Sequence, residues 1–521
     1  MAVCALIALV LGILYSRYAA VAGQGVGFEI RKTEFEKVQN FSFSNTDHFS
    51  TSSLITRLTS DVTIIQNAIC NGFRPLVRAP FMFSMALFLS IKMNAKLALI
   101  FIVVAPILGI GLFFIVKTVG PLFRFMQSNV DEVNTVVQEN LIAIRTVKAY
   151  VKSDYENEKF EKINQELRTH SEKAFRYSVL NMPLFQYMMY TTIVCILFFG
   201  SQMIFAGEMK VGQLTGFLSY VLQILNALMM ISNVFLMLTR SLASCKRIVD
   251  VLDEVNNLHD PIDPIIEMNQ GEIEFKNVSF KYPDADEYIL ENVSFKANKG
   301  ETVAFIGSTG SGKSTLINLV PRFYDATEGE VLVDGINVKE YTKELLNNKI
   351  SYVSQKAVMF NDTVKNNIAY GNNGKGEITD KKVKEAVKVA QATQFVENME
   401  ETYDTMIAQG GTNVSGGQKQ RLSIARAIAR DPEIYIFDDS FSALDYKTDS
   451  ILRKELKQYT KDATSLIVGQ RIGTIINSDK IIVLDGGKVV GEGTHKELLK
   501  NCDVYKEIAL SQLSKEELEN E

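Results

Sequence analysis

The chain has 521 residues, 47% of them hydrophobic, with 55 Lys+Arg against 60 Asp+Glu and a formal net charge of −5. That length implies at least two domains, and that apolar content excludes a disordered chain. The near balance of charge leaves no basic field of the kind that holds DNA or RNA, so no nucleic-acid partner is expected.

Cys4, Cys70, Cys195, Cys245 and Cys502 are scattered, with no CxxC pair. This argues against a disulfide framework or zinc site and reads as buried thiols in a reducing compartment.

In chain order, the first half holds almost all the long uncharged runs. A membrane helix needs roughly 20 such residues. Leu97 to Val116, Tyr177 to Gly207 and Val211 to Thr239 meet that length between flanking charges. Ala2 to Ser16 and Ala79 to Ile91 are shorter and span if Arg17, Arg78 or Lys92 reach the interface. Ala2 to Ser16 has no charged leader and is a poor signal peptide. Tight turns at Lys92-Met93-Asn94-Ala95-Lys96 and Gly207-Glu208-Met209-Lys210 alternate with long, charged, helix-compatible excursions at 17–78 and 117–176. The expected architecture is an α-helical transmembrane domain of about five spans with long cytoplasmic helical extensions. The extensions carry Arg31, Lys32, Lys37, Arg124, Arg145, Lys148 and Lys152, in accord with the positive-inside rule. Counting spans then leaves Met1 on the outer face, which points to a missing first span.

The expected domains are 1–245 in the membrane, a polar linker over 246–270 containing Pro261 and Pro264, an α/β domain over 271–508, and a charged tail over 509–521.

In the α/β domain, Thr302 to Ile306 reads as a buried strand. It runs into Gly307-Ser308-Thr309-Gly310-Ser311-Gly312-Lys313-Ser314-Thr315 and then an apolar helix. This is GxxxxGK[ST] in its strand-loop-helix setting, where backbone N–H groups cradle phosphates. Lys313 then reaches the β and γ phosphates of ATP, and Ser314 offers a hydroxyl to Mg²⁺. A second apolar strand, Ile434 to Phe437, ends in Asp438, the expected Mg²⁺ carboxylate. Between them stands Asn413-Val414-Ser415-Gly416-Gly417-Gln418-Lys419-Gln420-Arg421, a further anion nest at a helix start. One protomer offers it no second phosphate, so it is expected to serve the nucleotide of a neighbouring chain.

"GSTGSGKST", "VSGGQKQR" and "IFDDSFSALD", in that order, closely resemble the ATP-binding-cassette (ABC) exporters, in particular bacterial half-transporters of the multidrug and lipid-exporting type. The resemblance covers nearly all of the chain. It implies an α/β P-loop nucleotide-binding domain after the membrane domain, with the whole in the plasma membrane and ATP on the cytoplasmic side. It also implies that Tyr282 in "FKYP" stacks on adenine and that Gln355 in "SYVSQ" senses Mg²⁺ and the membrane domain. Ala443-Leu444-Asp445 would pass between protomers, and the tips near Asn45 to Ser53 and Tyr150 to Phe160 would be coupling helices. A family half-transporter carries six spans, so the first is the one expected to be missing.

Two positions depart from the family pattern in one half-site. Asp439 stands where a Glu normally polarises the attacking water, one methylene shorter. Gln470 follows the strand Ser465 to Val468 where a His normally contacts the γ-phosphate, and none of His48, His170, His259 and His495 takes that place. A carboxamide carries no positive charge to offset the charge that develops on the phosphate oxygens. The signature is whole apart from Val414, and Ala408-Gln409-Gly410-Gly411 replaces a Glu-Arg pair usual before it. In a head-to-tail dimer this chain would give one ATP a weak catalytic half-site and the other ATP a sound signature. The expectation is therefore an unlike partner half-transporter carrying Glu and His at the matching positions.

The alternative is a non-catalytic regulatory or channel-like subunit in which ATP only holds the dimer closed. A soluble DNA-repair cassette is excluded by the membrane runs. Few charges interrupt the spans. Asn181, Gln186, Gln213, Gln223 and Asn226 are their polar points, which suits small amphipathic or lipid-like cargo, although such residues also serve as interhelical contacts.

Overall fold

The computed structural model describes residues 1–513 except 257, 264, 266–270, 284, 372 and 375. The expected charged tail therefore lies outside the described residues from 514 on, as does Pro264 of the linker. The chain divides into two compact units: Met1–Phe35 with Ile55–Leu252, and Glu36–Leu54 with the chain from Asp253 on.

The first unit is helical. Among the described residues, five helical stretches are long and apolar enough to cross a membrane: Ala2–Gln39, Thr51–Met93, Ala95–Ile142, Ser153–Phe205 and Val211–Leu252. Their order matches the five expected spans, but each runs well beyond its apolar run. The charged residues between them do not stop the helices; they continue them out of the apolar layer. Leu97, Phe101, Phe185, Ile196, Phe217 and Ile224 form the buried core of this unit. The last helix passes residue 245 and ends at Leu252, where Arg247 is held by a partner on another helix. Its Nε donates to Asp61 Oδ2 at 2.7 Å, a second guanidinium nitrogen reaches Oδ1, and the Ser244 hydroxyl donates to Oδ1 at 2.8 Å. Asp61 is buried and closes a five-residue π-helical turn, Arg57–Asp61.

The excursion tips differ from one another. Phe43–His48 is a short helix opened by a Ser42 capping box, and it folds with the second unit. The Phe43 ring lies 4.4 Å from the Phe323 ring, the Tyr324 hydroxyl donates to Asp47 Oδ2 at 2.7 Å, and Asn45 Nδ2 donates to Glu254 Oε1 at 2.8 Å. The second tip starts upstream of the expected Tyr150 to Phe160 and overlaps its first residues. The break falls around the short helix Ile144–Ala149 and Val151, whose φ is 54°. Residues from Ser153 on already belong to the next long helix, where Asp154 and Glu156 sit in the first turn and favour its N-terminal dipole.

The second unit is α/β. A four-stranded antiparallel sheet has the order β2 (Leu290–Ala297), β1 (Ile273–Phe280), β4 (Glu328–Val333), β5 (Ile336–Asn337). A six-stranded sheet has the order β12 (Lys488–Gly493), β11 (Lys480–Asp485), β3 (Thr302–Gly307), β10 (Thr464–Val468), β9 (Ile434–Asp438), β6 (Ile350–Val353). From β11 to β6 it is parallel, with β12 antiparallel at the edge. A two-stranded ribbon pairs β7 (Asp362–Thr363) with β8 (Met406–Ile407). β3, β9 and β10 are buried almost throughout, which is why they read as continuous apolar runs. The carboxyl ends of β3, β10, β9 and β6 lie side by side, the place where open parallel sheets bind ligands.

Candidate nucleotide site

Each of those four strand ends delivers one expected residue. β3 runs into the phosphate loop and the helix Lys313–Asn318. β9 ends in Asp438, Gln470 follows β10, and Gln355 follows β6. Together they line a cleft of about 600 Å³ with Tyr282, Gly307 to Gly310 and Gly312 to Thr315, while Ser311 is buried behind the loop. Glycine is required at two loop positions: Gly312 has φ 91°, and a Cβ on Gly307 would stand 2.0 Å from the Leu484 carbonyl oxygen.

Lys313 Nζ lies inside the loop, donating to the carbonyls of Gly307 at 3.0 Å and Ser308 at 2.7 Å. Burial holds its ammonium below the ordinary lysine range, against the opposing pull of Asp439 and Asp438. Ser314 Oγ donates to Asp438 Oδ1 at 2.8 Å, and the Tyr352 hydroxyl donates to Oδ2 at 3.2 Å. Burial raises the Asp438 carboxyl above its usual range although both hydroxyls counter it. A hydroxyl and a carboxylate side by side, with the Gln355 carboxamide in the same cleft, make a set of hard oxygens suited to a divalent cation that also takes phosphate oxygens.

Asp439 has φ 45°, a left-handed conformation that aspartate tolerates better than most residues. Its Oδ2 accepts from Gln470 Nε2 at 2.7 Å and from Gln355 Nε2 at 3.1 Å. Burial raises this carboxyl too, opposed by the Gln355 donor and by the charges of Arg471 and Lys313.

Tyr282 is half-buried at the cleft wall. Its hydroxyl is 3.2 Å from Thr315 Oγ1 and its ring meets Tyr324 edge-on, with centroids 5.3 Å apart.

The signature lies elsewhere. Ser415 caps the helix Gly416–Ala429, where its hydroxyl accepts from Gln418 N–H at 3.3 Å while Gln418 Oε1 accepts from Ser415 N–H at 2.8 Å. Ser415 and Gly416 are exposed, and none of Ser415, Gly416, Gly417 and Gln418 lines the cleft of its own chain.

Several residues at the cleft escaped the sequence reading, Ile289 among them. Tyr352 touches Asp438, and alternation along β6 gives no hint of that. Ile508, Ser511 and Gln512 also line the cleft, on the helix Asp503–Gln512, which passes the expected boundary at 508. The signal was present: Tyr505, Ile508, Ala509 and Gln512 stand at i, i+3, i+4, i+7.

The comparisons with known proteins agree with this fold. Residues 1–228 match the ABC transporter transmembrane region and residues 290–442 match the ABC transporter domain. The uncharacterized ABC transporter ATP-binding protein YfiB of Bacillus subtilis is 40% identical over 505 residues, 97% of this chain and 87% of that one. The ATP-dependent lipid A-core flippase of Desulfotalea psychrophila is 34% identical over 493 residues, 94% of this chain and 85% of that one. Among solved structures, a bacterial Atm1-family ABC exporter with ATP bound superposes with a TM-score of 0.83 at 25% identity, covering 98% of this chain and 89% of that one. A five-helix apolar unit followed by a phosphate-loop α/β unit, matched along nearly its whole length, places the chain in the ABC transporter family as a multi-pass membrane protein of the ATP-driven exporter type.

Proposed function

We propose that this chain is one half of a heterodimeric exporter and that its own phosphate loop holds ATP more than it cleaves it. The observation that carries the reading is the pairing of Asp439 Oδ2 with two neutral carboxamides, Gln470 and Gln355. A side chain one methylene short of Glu, tied back through one oxygen, is poorly placed to align water, and a misplacement of about 1 Å costs on the order of 10²-fold in rate. Gln470 adds no positive charge at the γ-phosphate position. Lys313 and the loop N–H groups bind the phosphates, and Tyr282 packs on the base. Ser314 and Asp438 would hold Mg²⁺, which when bound would supply positive charge against the phosphate oxygens. Ser415 and Gly416, exposed and pre-shaped by the capping box, face the partner's ATP. The ATP-binding half lies on the cytoplasmic side of the plasma membrane.

The cargo proposed is amphipathic or lipid-like. In the helical unit an apolar groove of about 690 Å³ is lined by Tyr15, Phe73, Val77 and Phe81 together with Arg74 and Arg78. That almost wholly apolar lining suits the apolar body of an amphipathic molecule, and one relative carries the name of a lipid A-core flippase.

Steady-state ATPase of the purified pair tests the asymmetry. Asp439→Asn is expected to lower turnover only modestly, and the matching change of Glu in the partner to nearly abolish it. Equal collapse from both would mean two catalytic sites and would end the asymmetric reading.

A further inference from the structure

Gln512 ends the C-terminal helix Asp503–Gln512, and its carboxamide bonds twice to the backbone that follows β10. Nε2 donates to the Gln470 carbonyl at 2.8 Å, and Oε1 accepts from Ile472 N–H at 2.8 Å. One side-chain amide thus satisfies an acceptor and a donor two residues apart, as the edge of a neighbouring strand would. The helix that carries it is fixed: Tyr505 and Ala509 are fully buried in one cluster with Ile472 and Ile475, and the Tyr505 hydroxyl lies 2.7 Å from His495 Nδ1. On the other side of the clamp, Gly469 N–H donates to the Phe305 carbonyl at 3.0 Å. Between these two anchors stands Gln470, whose side chain reaches Asp439.

We propose that Gln512 is a positioning residue of the nucleotide site: it fixes the backbone at 470–472 so that the Gln470 carboxamide points at Asp439 and the cleft, which ties the state of the site to the seating of the C-terminal helix. Without the clamp, the carbonyl of Gln470 and the N–H of Ile472 lose these partners, and the Gln470–Arg471 peptide is tied only from Arg471, whose carbonyl accepts from Thr474 N–H at 3.0 Å and whose guanidinium donates to the Ser442 carbonyl at 3.3 Å. The direction of the Gln470 side chain shifts with that peptide. The inference holds whether this half-site cleaves ATP or retains it, because a misdirected Gln470 alters turnover in the first case and ATP retention in the second.

The test uses the full-length chain assembled with its dimer partner and the variants Gln512→Ala, Gln512→Glu, Gln470→Ala and the double Gln512→Ala/Gln470→Ala. Gln512→Glu keeps the acceptor for Ile472 but sets a carboxylate against the Gln470 carbonyl. For each, kcat and KM for MgATP, the dissociation rate of labelled ATP from this chain and the melting temperature are measured. Both Gln512 variants are expected to change kcat or ATP retention by about 5-fold, the loss of a hydrogen bond, with KM and melting temperature nearly unmoved. In the Gln470→Ala background, Gln512→Ala should add nothing. The proposal is overturned if the two effects multiply, if only the melting temperature moves, or if kcat and retention stay at wild-type values. Should Gln512→Ala fail to assemble, Gln512→Glu with and without Gln470→Ala decides by the same comparison. Failure here leaves the asymmetric reading standing, since that one is judged on Asp439→Asn.

Discussion

Gln470 Nε2 donates to Asp439 Oδ2 across 2.7 Å, so two of the positions proposed to weaken this half-site are bonded to each other. Either substitution alone would leave its neighbour facing the wrong group: a Glu would crowd the carboxamide, and a His would stand off a shortened carboxylate. Together they form a carboxylate–carboxamide contact, with no cation in it, in a cleft otherwise equipped to bind phosphate.

That pairing predicts that hydrolysis is restored by the double change and not by either half. Asp439→Glu with Gln470→His is expected to raise ATPase of this half-site in the assembled pair by at least about 10-fold, the low end of what a positioned acid-base group supplies. Each single change should give much less. Measuring turnover with the partner's site inactivated isolates the effect, and full restoration by Asp439→Glu alone would show that Gln470 is indifferent.

Lys313→Ala removes the one cation inside the phosphate loop. Affinity of the chain for labelled ATP is expected to fall on the order of 10- to 100-fold, the worth of a charge-assisted hydrogen bond. Unchanged binding would mean that the loop is not the phosphate site.

Ser415 separates a cap from a ligand. Its hydroxyl caps the helix Gly416–Ala429, and Asp caps as well as Ser. Ser415→Asp should therefore leave the fold intact and yet depress ATPase of the pair by roughly 10²-fold, because a carboxylate would face the partner's γ-phosphate where a donor is wanted. Wild-type turnover with Ser415→Asp would assign the residue to the cap alone.

Asp438 predicts a pH dependence of stability. Its carboxyl is raised from 3.8 by burial, so between 3.8 and its folded value the native chain keeps a proton that the unfolded chain releases. Native binding exceeds unfolded binding there, and stability falls as pH rises through that window. Asp439, raised by the same cause, adds to the fall. Asp438→Asn removes the buried charge and leaves a carbonyl for one of the two hydroxyls, Ser314 or Tyr352, while its amide nitrogen donates to the other. In the absence of nucleotide and magnesium, this variant is expected to melt above wild type at pH 7, with the gap closing as pH drops towards 4. Melting below wild type at pH 7 would contradict this account.

The order of the spans, the phosphate loop and the strand that ends in Asp438 were legible in the sequence because each follows from local chemistry. An uncharged run must lie in an apolar medium whatever it packs against, and a glycine-rich loop between a buried strand and a helix can do little other than cradle an anion. The positions of Asp439 and Gln470 beside the strand ends were legible for a similar reason, each following an apolar run in its own chain segment. What tertiary structure alone decided is which side chains meet. Asp439 and Gln470 are 31 positions apart and touch only because β9 and β10 are parallel neighbours. Tyr352 reaches Asp438 for the same reason across β6 and β9. The helix Asp503–Gln512 shows the limit most plainly. Its spacing announces a buried face, but composition groups its last turn with the charged residues behind it. Only packing of Tyr505 and Ala509 against Ile472 brings Gln512 to the backbone beside Gln470, because a long-range contact depends on where the sheet order places two segments, and no local pattern encodes that order.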